Sequence, residues 1–555
     1  MKVKVLFLLT VVISLSSFSQ ISRPIGSNQT GIVDWSTEFV FTNTMSQTRS
    51  WISHEYPSWS AWSSNVAIPL RADGYPIEIP YDNGIDPLQS VRTLMYFGNT
   101  ASWYPGGNYR LIVAGEGQIT FSGAATGTYK CPMDTLVFVD SSQGGIILNI
   151  DTSKRTNPIH NIRFIQPKYI SSYQTKVFTD ELIDFTSDFQ TIRFMDWMHT
   201  NNSPVNTWNT RNAKEFCFQT TNKGVAYEYL IELCNQTQKN AWVCIPHQAD
   251  DNFITQFARL LRDSLDSNLK IYVEYSNEVW NGIFDQASFA DSMGNALGYS
   301  GSPWAQGWKF FAKRSADVFE IFENEIPDTN RFIKVIATHA ANSWLQNEIL
   351  TFFEDVTYNP NQVKADALAI APYFGGAADR IGNAGLAAST TVSAILDSME
   401  ATLPETYRWM RESKVVANNH NLELMAYEGG QHLVASYLYY NDTAFVNKLI
   451  KANRDPRMEA MYCAYFDYWY DSIQGGLFCN FSSHYTPNKH GSWGVKEFYE
   501  DTNNPKYLAL KNCVFPFNNT PTTSITSIPR NLSFSVYPNP SSDIFYIKTA
   551  ENYVN

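Results

Sequence analysis

The sequence has little charge, and what it has is mostly negative. Only 17% of its 555 residues are charged, and 53 Asp and Glu residues outnumber 41 Lys and Arg residues, which gives a net charge of −12. A protein of this sign repels a phosphate backbone, so nucleic-acid binding is not expected. Because 44% of the residues are hydrophobic, we expect a globular protein with one large core and a smaller second one.

Several catalytic signatures are also missing. The chain contains no HExxH and no CxxC, so we expect no metal and no cofactor. It contains no GxSxG elbow, which excludes an esterase or lipase of the α/β-hydrolase type. The seven cysteines are an odd number, so at least one thiol is expected to be free. Cys217 and Cys234 are close enough in sequence to close a short loop, although buried free thiols are the expectation in a chain of this length.

No hydrophobic run is long enough to cross a membrane. The apolar run from Val5 to Ile13 follows two lysines and precedes several serines, which is the layout of a secretory signal peptide over residues 1–19. We therefore expect an exported protein without a membrane-inserted segment.

The middle of the chain alternates between strand-like and helix-like stretches. This alternation predicts a parallel sheet, and eight strands would close a (β/α)8 TIM barrel over residues 20–65 and 170–515. Residues 66–169 contain only short strands separated by turn residues, which predicts a β-sandwich inserted after barrel strand one. A helix is expected over residues 45–53. A doubly wound open sheet would explain the alternation too, but no strand is followed by GxGxxG. The predicted barrel strands are 31–36, 191–197, 241–247, 270–278, 331–339, 366–374, 422–430 and 475–481.

The C-terminal part changes character again. Residues 516–530 form a Thr/Ser/Pro-rich linker, and residues 531–555 contain the sequence SFSVYPNPSSDIFYIKT. This tail resembles part of the C-terminal sorting domain of the type IX secretion system in Bacteroidetes. The resemblance implies the type IX secretion machinery as a partner and a secreted or cell-surface location. A generic Pro-rich linker before a short strand is the alternative interpretation.

Two predicted strands end in glutamate, at Glu278 and at Glu428. Catalytic groups of a (β/α)8 barrel lie at the carboxyl ends of its strands. Side-chain alternation predicts one shared face of the first strand, formed by Tyr272, Glu274, Ser276 and Glu278. In the second strand it places Leu422, Leu424, Ala426 and Glu428 on one face, so both terminal carboxyl groups are expected to point inward. Two facing carboxyl groups suit glycoside cleavage, whereas isolated salt bridges at the strand ends are the alternative.

The segment VEYSNEVWN resembles the acid/base strand of the clan A retaining glycoside hydrolases, which include the family 5 cellulases and mannanases. Glu274, Asn277 and Glu278 match that pattern, and Val279 stands where many of these enzymes have proline. The resemblance implies that Glu278 is the general acid/base, that Asn277 binds the substrate 2-hydroxyl and that Glu428 is the nucleophile. The whole chain also resembles secreted bacterial proteins of uncharacterised function that share the SNEVWN segment.

The same resemblance assigns roles to residues on other strands. Arg193 is similar to the arginine that holds the nucleophile ionised, with a salt bridge to Glu274 as the alternative. Tyr373 is similar to the tyrosine that donates to the nucleophile, or else it only packs. Trp493 is similar to the aromatic platform after strand eight. Further residues at strand ends are expected either to line the pocket or to serve structure: His199, His247, His339, His432, Trp197, Trp280 and Trp344.

The sequence therefore predicts a secreted retaining glycoside hydrolase whose substrate is an extracellular polysaccharide or oligosaccharide. A non-catalytic carbohydrate-binding or adhesin protein and a polysaccharide lyase are the alternatives. We expect Trp103 and Tyr104 of the insertion either to extend the sugar contacts or to pack in the sandwich core.

Overall fold

The structure is a computed structural model. It describes residues 22–57, 62–98, 103–328, 330–435 and 438–518, together with the backbone of two strands in the C-terminal tail. The predicted signal peptide and most of the predicted linker and sorting domain lie outside the described residues. The two tail strands pair antiparallel.

The strands fall into a parallel barrel, an antiparallel sheet and the tail pair. In chain order they are β1 (Ile25–Asn28), β2 (Ile52–Glu55), β3 (Gln89–Met95), β4 (Gly107–Gly123), β5 (Gly127–Val139), β6 (Ile146–Ser153), β7 (His160–Ile165), β8 (Thr191–Arg193), β9 (Asn240–Ile245), β10 (Ile271–Tyr275), β11 (Phe332–Ala337), β12 (Ala367–Ile370), β13 (Glu423–Ala426), β14 (Phe478–Asn480), β15 (Phe534–Tyr537) and β16 (Tyr546–Thr549).

Eight parallel strands close the barrel. Strands β8 to β14 pair in chain order, and β1 pairs with both β8 and β14. Helices connect the strands, as the alternation predicts, so the (β/α)8 fold with an inserted β region is confirmed. The carboxyl ends of all eight strands consequently meet at one face of the molecule.

The helices cover the outside of the barrel with their apolar faces. In α3, for example, the Asp250 side chain caps the N-terminus by accepting from Phe253 N, and Phe253, Phe257 and Leu261 are buried. The helices are α1 (Asp180–Ser187), α2 (Tyr227–Thr237), α3 (Asp251–Ser264), α4 (Asp285–Ala296), α5 (Pro303–Glu325), α6 (Ser343–Glu354), α7 (Ala377–Asn383), α8 (Val392–Glu400), α9 (Leu403–Asn419), α10 (Thr443–Asn453), α11 (Arg457–Asp467) and α12 (Pro505–Cys513).

The first barrel strand is not the predicted one. Strand β1 has the sequence IGSN, and residues 31–36 form a turn instead, in which Asp34 pairs with Arg49 at 2.9 Å. A Cβ atom at Gly26 would lie 2.6 Å from Cys479 Sγ and 2.9 Å from the Thr191 carbonyl oxygen. The packing at barrel closure therefore requires glycine there, which removes the apolar pattern of an ordinary strand. The helix expected at 45–53 is also wrong, because this segment contains one 3-10 turn and the start of β2.

Side chains of the barrel strands form two separate apolar layers. The layer between strands and helices includes Leu424 and Ala426, whereas the barrel interior contains Met425 and Tyr427. The prediction that Leu424 and Ala426 face inward with Glu428 is therefore wrong. Glu428 reaches the top of the barrel because β13 ends at Ala426 and the chain then changes direction.

The insertion between β1 and β8 has its own core. Strands β2 to β7 are antiparallel, and the 17-residue β4 pairs with β5 along one edge and successively with β7 and β6 along the other. Leu111, Ile119 and Phe121 lie in this core. The sheet begins at Ile52, before the expected boundary at residue 66. Phe218 from the barrel packs into the same core, so the sheet is fixed against the barrel.

One disulfide joins α11 to α12, between Cys463 and Cys513. Cys217 and Cys234 are free and buried, so no disulfide joins these two residues. Within the described residues, no helix is long and apolar enough to cross a membrane. No cluster of His, Cys, Asp and Glu able to hold a metal ion is found in the same part of the chain.

Candidate active site

A cavity of about 610 Å³ opens at the carboxyl ends of the barrel strands. Residues that follow six of the strands line it. They include Asp196 after β8, Glu278 after β10, His339 after β11, Tyr373 after β12, Glu428 after β13 and Phe481 after β14.

Arg193, the last residue of β8, lies beneath the cavity and is fully buried. Its Nη1 donates to Glu428 Oε1 and to Asn28 Oδ1, both at 2.9 Å. Its Nη2 donates to Glu274 Oε2 and to Asn277 Oδ1 at 2.9 Å, and Nε donates to Glu274 Oε2 at 3.3 Å. All five N–H groups of the guanidinium are thus used. Arg193 therefore pairs with Glu428 as well as with Glu274, the partner that the alternative interpretation named.

Glu428 is 6% exposed and accepts two hydrogen bonds. Arg193 donates to Oε1, and the Tyr373 hydroxyl donates to Oε2 at 3.0 Å. Burial raises the pKa of this carboxyl group, and the Arg193 guanidinium acts in the opposite direction by stabilising the carboxylate. The negative charge of Glu278 adds to the rise of the Glu428 pKa, so the two carboxyl groups influence each other across the cavity.

Glu278 has surroundings of a different kind. Asn281 Nδ2 donates to its Oε2 at 2.9 Å, and the Tyr427 hydroxyl donates to its Oε1 at 3.1 Å. Both donors are neutral, and burial raises the pKa of the carboxyl group. Glu278 and Ser276 adopt φ angles of 45° and 61°, so the chain leaves β10 in a tight left-handed turn. This turn, rather than strand alternation, directs Glu278 into the cavity.

Asn277 is held by neighbours on both sides of its amide group. Its Oδ1 accepts from Arg193, and its Nδ2 donates to Asn201 Oδ1 at 3.0 Å. Gln286 Nε2 donates to the same Asn201 oxygen at 2.7 Å and to the Asn277 carbonyl oxygen at 2.8 Å. The Asn277 side chain is therefore fixed at the edge of the cavity, next to Glu278.

Aromatic rings form two parts of the cavity wall. Trp493 lies edge-on to Tyr373 with ring centroids 5.9 Å apart, and its Nε1 donates to the His490 carbonyl oxygen at 2.9 Å. On the other side, the Trp280 ring lies 4.4 Å from the His339 ring. Burial lowers the pKa of His339, so this ring is neutral near pH 7.

Several residues that the sequence places at strand ends do not line the cavity. His247 packs against Phe289 with centroids 5.2 Å apart and does not line the cavity. Trp197 is fully buried in the core, whereas Trp344 is 55% exposed and contacts other tryptophans on the helices. His199 also lies outside the cavity, and His432 lines it.

Neither aromatic residue singled out in the insertion lines the cavity. Tyr104 is 3% exposed and stacks on Tyr96 in the core of the inserted sheet, so it cannot reach a sugar. Trp103 stacks on Phe498 with centroids 4.9 Å apart.

The sequence interpretation missed several polar residues of the site, among them Asn28, Asp196 and Tyr427. Tyr427 connects the two halves of the site, since its hydroxyl donates to Glu278 and its carbonyl oxygen accepts from Asn28 at 2.9 Å. The available signal was position: Asn28 ends a barrel strand, Asp196 follows one closely, and Tyr427 directly precedes Glu428.

Comparison with known proteins gives remote structural similarity only. No family model matches the chain, and no curated protein matches it. The chain is similar to fungal β-1,4-galactanases, with 11% identity, a TM-score of 0.33, and coverage of 60% of this chain and 92% of theirs. It is similar to a Bacteroidetes-affiliated GH5 cellulase with 10% identity and a TM-score of 0.34, over 62% and 88% of the two chains. It is similar to xylanase 10C of Cellvibrio japonicus with 9% identity and a TM-score of 0.32, over 84% of this chain and 99% of the xylanase.

Proposed function

We propose that this protein is a secreted retaining glycoside hydrolase that cleaves an extracellular polysaccharide. The observation that carries the proposal is the unequal treatment of two carboxyl groups facing one cavity. Glu428 contacts the Arg193 guanidinium, whereas the direct donors to Glu278 are a tyrosine hydroxyl and an asparagine amide. Glycoside cleavage by double displacement requires one ionised and one protonated carboxyl group.

The contacts support a definite location for the proton. Two buried carboxyl groups that interact this closely titrate as a pair, which holds one proton over an intermediate pH range. A cation in direct contact stabilises a carboxylate more than a neutral donor does. The charge therefore belongs on Glu428, which is the nucleophile, and the proton on Glu278, which is the general acid.

The reaction then follows in two steps. A Glu428 carboxylate oxygen attacks the anomeric carbon while Glu278 donates its proton to the departing glycosidic oxygen, and a covalent glycosyl-enzyme forms. Water replaces the leaving group, Glu278 removes its proton, and attack at the anomeric carbon releases Glu428. The two inversions give net retention. Asn277, fixed beside Glu278, is placed to bind a hydroxyl of the sugar undergoing attack.

The charges of the cavity argue against the lyase alternative. A lyase that acts on acidic sugars needs a free cation to neutralise the sugar carboxylate. Arg193 has no N–H group left, and Arg380, the arginine in the cavity wall, pairs with Glu405 at 2.7 Å. The non-catalytic binding alternative does not explain why two buried carboxyl groups with different donors line the same cavity.

The direct test is a hydrolysis assay on galactan, xylan, mannan and soluble glucan, followed by NMR of the first product formed. We expect cleavage of at least one of them with retained anomeric configuration. Glu423→Gln is a matched control, because Glu423 begins the strand that Glu428 follows and lies at the opposite end of the barrel. Inversion at the anomeric carbon would contradict the mechanism, and binding without any cleavage would favour the binding protein.

A further inference from the structure

A third carboxyl group, Asp196, faces the cavity and has no role in the reaction described above. Three residues after β8, the chain turns tightly, with His199 N donating to the Asp196 carbonyl oxygen at 3.0 Å. The neighbouring side chains of Phe194, Trp197 and Met198 are fully buried and fix this turn. Asp196 itself is half-buried and lines the cavity together with Glu278 and Glu428.

The Asp196 carboxylate has no hydrogen-bond donor among the residues that the structure describes, unlike the other two carboxyl groups. Arg193 interacts with it only through space, since every N–H group of that guanidinium is already used. Burial raises its pKa to about 6, so a carboxylate predominates at pH 7. A half-buried carboxylate without a donor loses solvation unless a ligand supplies one.

The remaining charges in the cavity wall do not offset these carboxyl groups. Arg380 is paired with Glu405, and both side chains are largely exposed. Burial lowers the pKa of His339 and of His432, so both rings are neutral near pH 7. The interior of the cavity is therefore negative, and hydroxyl groups are the natural donors of an uncharged sugar.

We propose that Asp196 accepts hydrogen bonds from hydroxyl groups of the glycosyl unit bound beside Glu428, and that it makes the site selective for neutral sugars over uronic acids. This inference rests on the proposed function, because it assigns the substrate class of the same site. A sugar carboxylate placed there would meet Asp196 as a like charge at short range.

The test compares binding and cleavage by the wild-type protein, Asp196→Asn, Asp196→Ala and the control Glu400→Gln. Glu400 is an exposed carboxylate paired with Arg457, outside the cavity. The probes are galactan, xylan, mannan and soluble glucan as neutral polysaccharides, and polygalacturonate and alginate as polyuronates. Affinity electrophoresis measures binding without turnover, and circular dichroism verifies that each variant is folded.

We expect the wild-type protein to bind at least one neutral polysaccharide and neither polyuronate. Asp196→Ala should weaken that affinity, and kcat/KM where cleavage occurs, by roughly 10- to 100-fold, because a charged hydrogen bond is lost. Asp196→Asn keeps one acceptor oxygen and the side-chain size, so its loss should be smaller, and Glu400→Gln should match the wild type.

Binding of a polyuronate by the wild-type protein, or of none of the neutral polysaccharides, would overturn the inference. An Asp196→Ala affinity within twofold of the wild type would also overturn it. The proposed function fails in a different way: if a neutral polysaccharide binds in an Asp196-dependent manner but is never cleaved, the hydrolase is refuted while the role of Asp196 is supported.

Discussion

The turn after β10 and the end of β13 each present a glutamate to the same cavity, but they hold it by different means. Glu428 lies against a fully buried arginine that is itself fixed by Asn28, Glu274 and Asn277. Glu278 lies in a left-handed turn and receives only neutral donors. Two residues of one chemical type thus have different donors, a guanidinium and a tyrosine hydroxyl for Glu428 and two neutral groups for Glu278, although burial raises the pKa of both.

Removing each carboxyl group separately is the strongest test of this comparison. Glu428→Ala should lose at least about 10⁴-fold in kcat on every substrate, because no nucleophile remains. Glu278→Ala should retain activity toward aryl glycosides with acidic leaving groups, since their departure needs little protonation. Kinetics with a 2,4-dinitrophenyl glycoside and with the natural polysaccharide measure the contrast.

Azide sharpens the same experiment. In Glu278→Ala, azide should attack the glycosyl-enzyme and give a glycosyl azide of retained configuration, whereas in Glu428→Ala it should replace the nucleophile and give the inverted product. Equal losses for both variants on all substrates, or exchanged azide products, would show that the two roles have been assigned wrongly.

The second largest effect is expected from Arg193, which contacts Glu428 at the end of β13 as well as Glu274 and Asn277 at the end of β10. Arg193→Lys should destabilise the fold by about 3–5 kcal/mol, because a lysine cannot serve four partners and leaves buried polar groups unpaired. Urea unfolding measures this change. Arg259→Lys is the matched control, since Arg259 binds Glu325 through two hydrogen bonds of 2.9 Å at an exposed site. Arg259→Lys should lower the free energy of unfolding by less than about 1 kcal/mol. Similar losses for both variants would contradict the central position of Arg193.

The parts of this site that the sequence predicts are those encoded locally. Alternating apolar runs gave seven of the eight barrel strands, and glutamates at two strand ends indicated the carboxyl pair. Strand β1 was missed because its Gly26 packs closely against Cys479 and Thr191, which are distant in the chain, so that no larger side chain fits there. A pattern of period two finds strands that bury side chains, but not one whose residues are small because the barrel closes on them.

The direction of each side chain was harder to predict than its position. Alternation placed Leu424 and Ala426 inside the barrel, yet Met425 and Tyr427 occupy the interior. Both glutamates follow their strands, where the backbone has left the extended conformation and a period of two no longer applies. For Asp196 and Tyr427 the sequence offers only a position close to a strand end, because the groups that they contact come from other parts of the chain.

A smaller effect is expected on the acid limb of the pH profile when the hydroxyl group that donates to Glu428 is removed. The Tyr373 hydroxyl lowers the pKa of Glu428 by stabilising its carboxylate, so Tyr373→Phe should raise that pKa. Activity requires ionised Glu428, and the acid limb of the kcat/KM profile should therefore move to higher pH, by roughly 0.5 to 1 unit for one neutral hydrogen bond. The alkaline limb should stay in place. A shift of the alkaline limb instead would mean that Tyr373 acts on the general acid.

The smallest effect is expected from the matching change at the other carboxyl group. The Tyr427 hydroxyl lowers the pKa of Glu278, so Tyr427→Phe should raise it. Activity requires protonated Glu278, and a higher pKa keeps the proton to higher pH, so the alkaline limb should move upward and the active range should widen. The shift of the alkaline limb should be no more than roughly 0.5 pH unit, because Asn281 still donates to Glu278 Oε2. Each phenylalanine variant removes one tyrosine hydroxyl group that donates to a carboxyl group of the site. Even so, Tyr373→Phe should narrow the pH profile, whereas Tyr427→Phe should broaden it. Shifts of the same limb in both variants would mean that the two carboxyl groups do not divide the roles of nucleophile and acid.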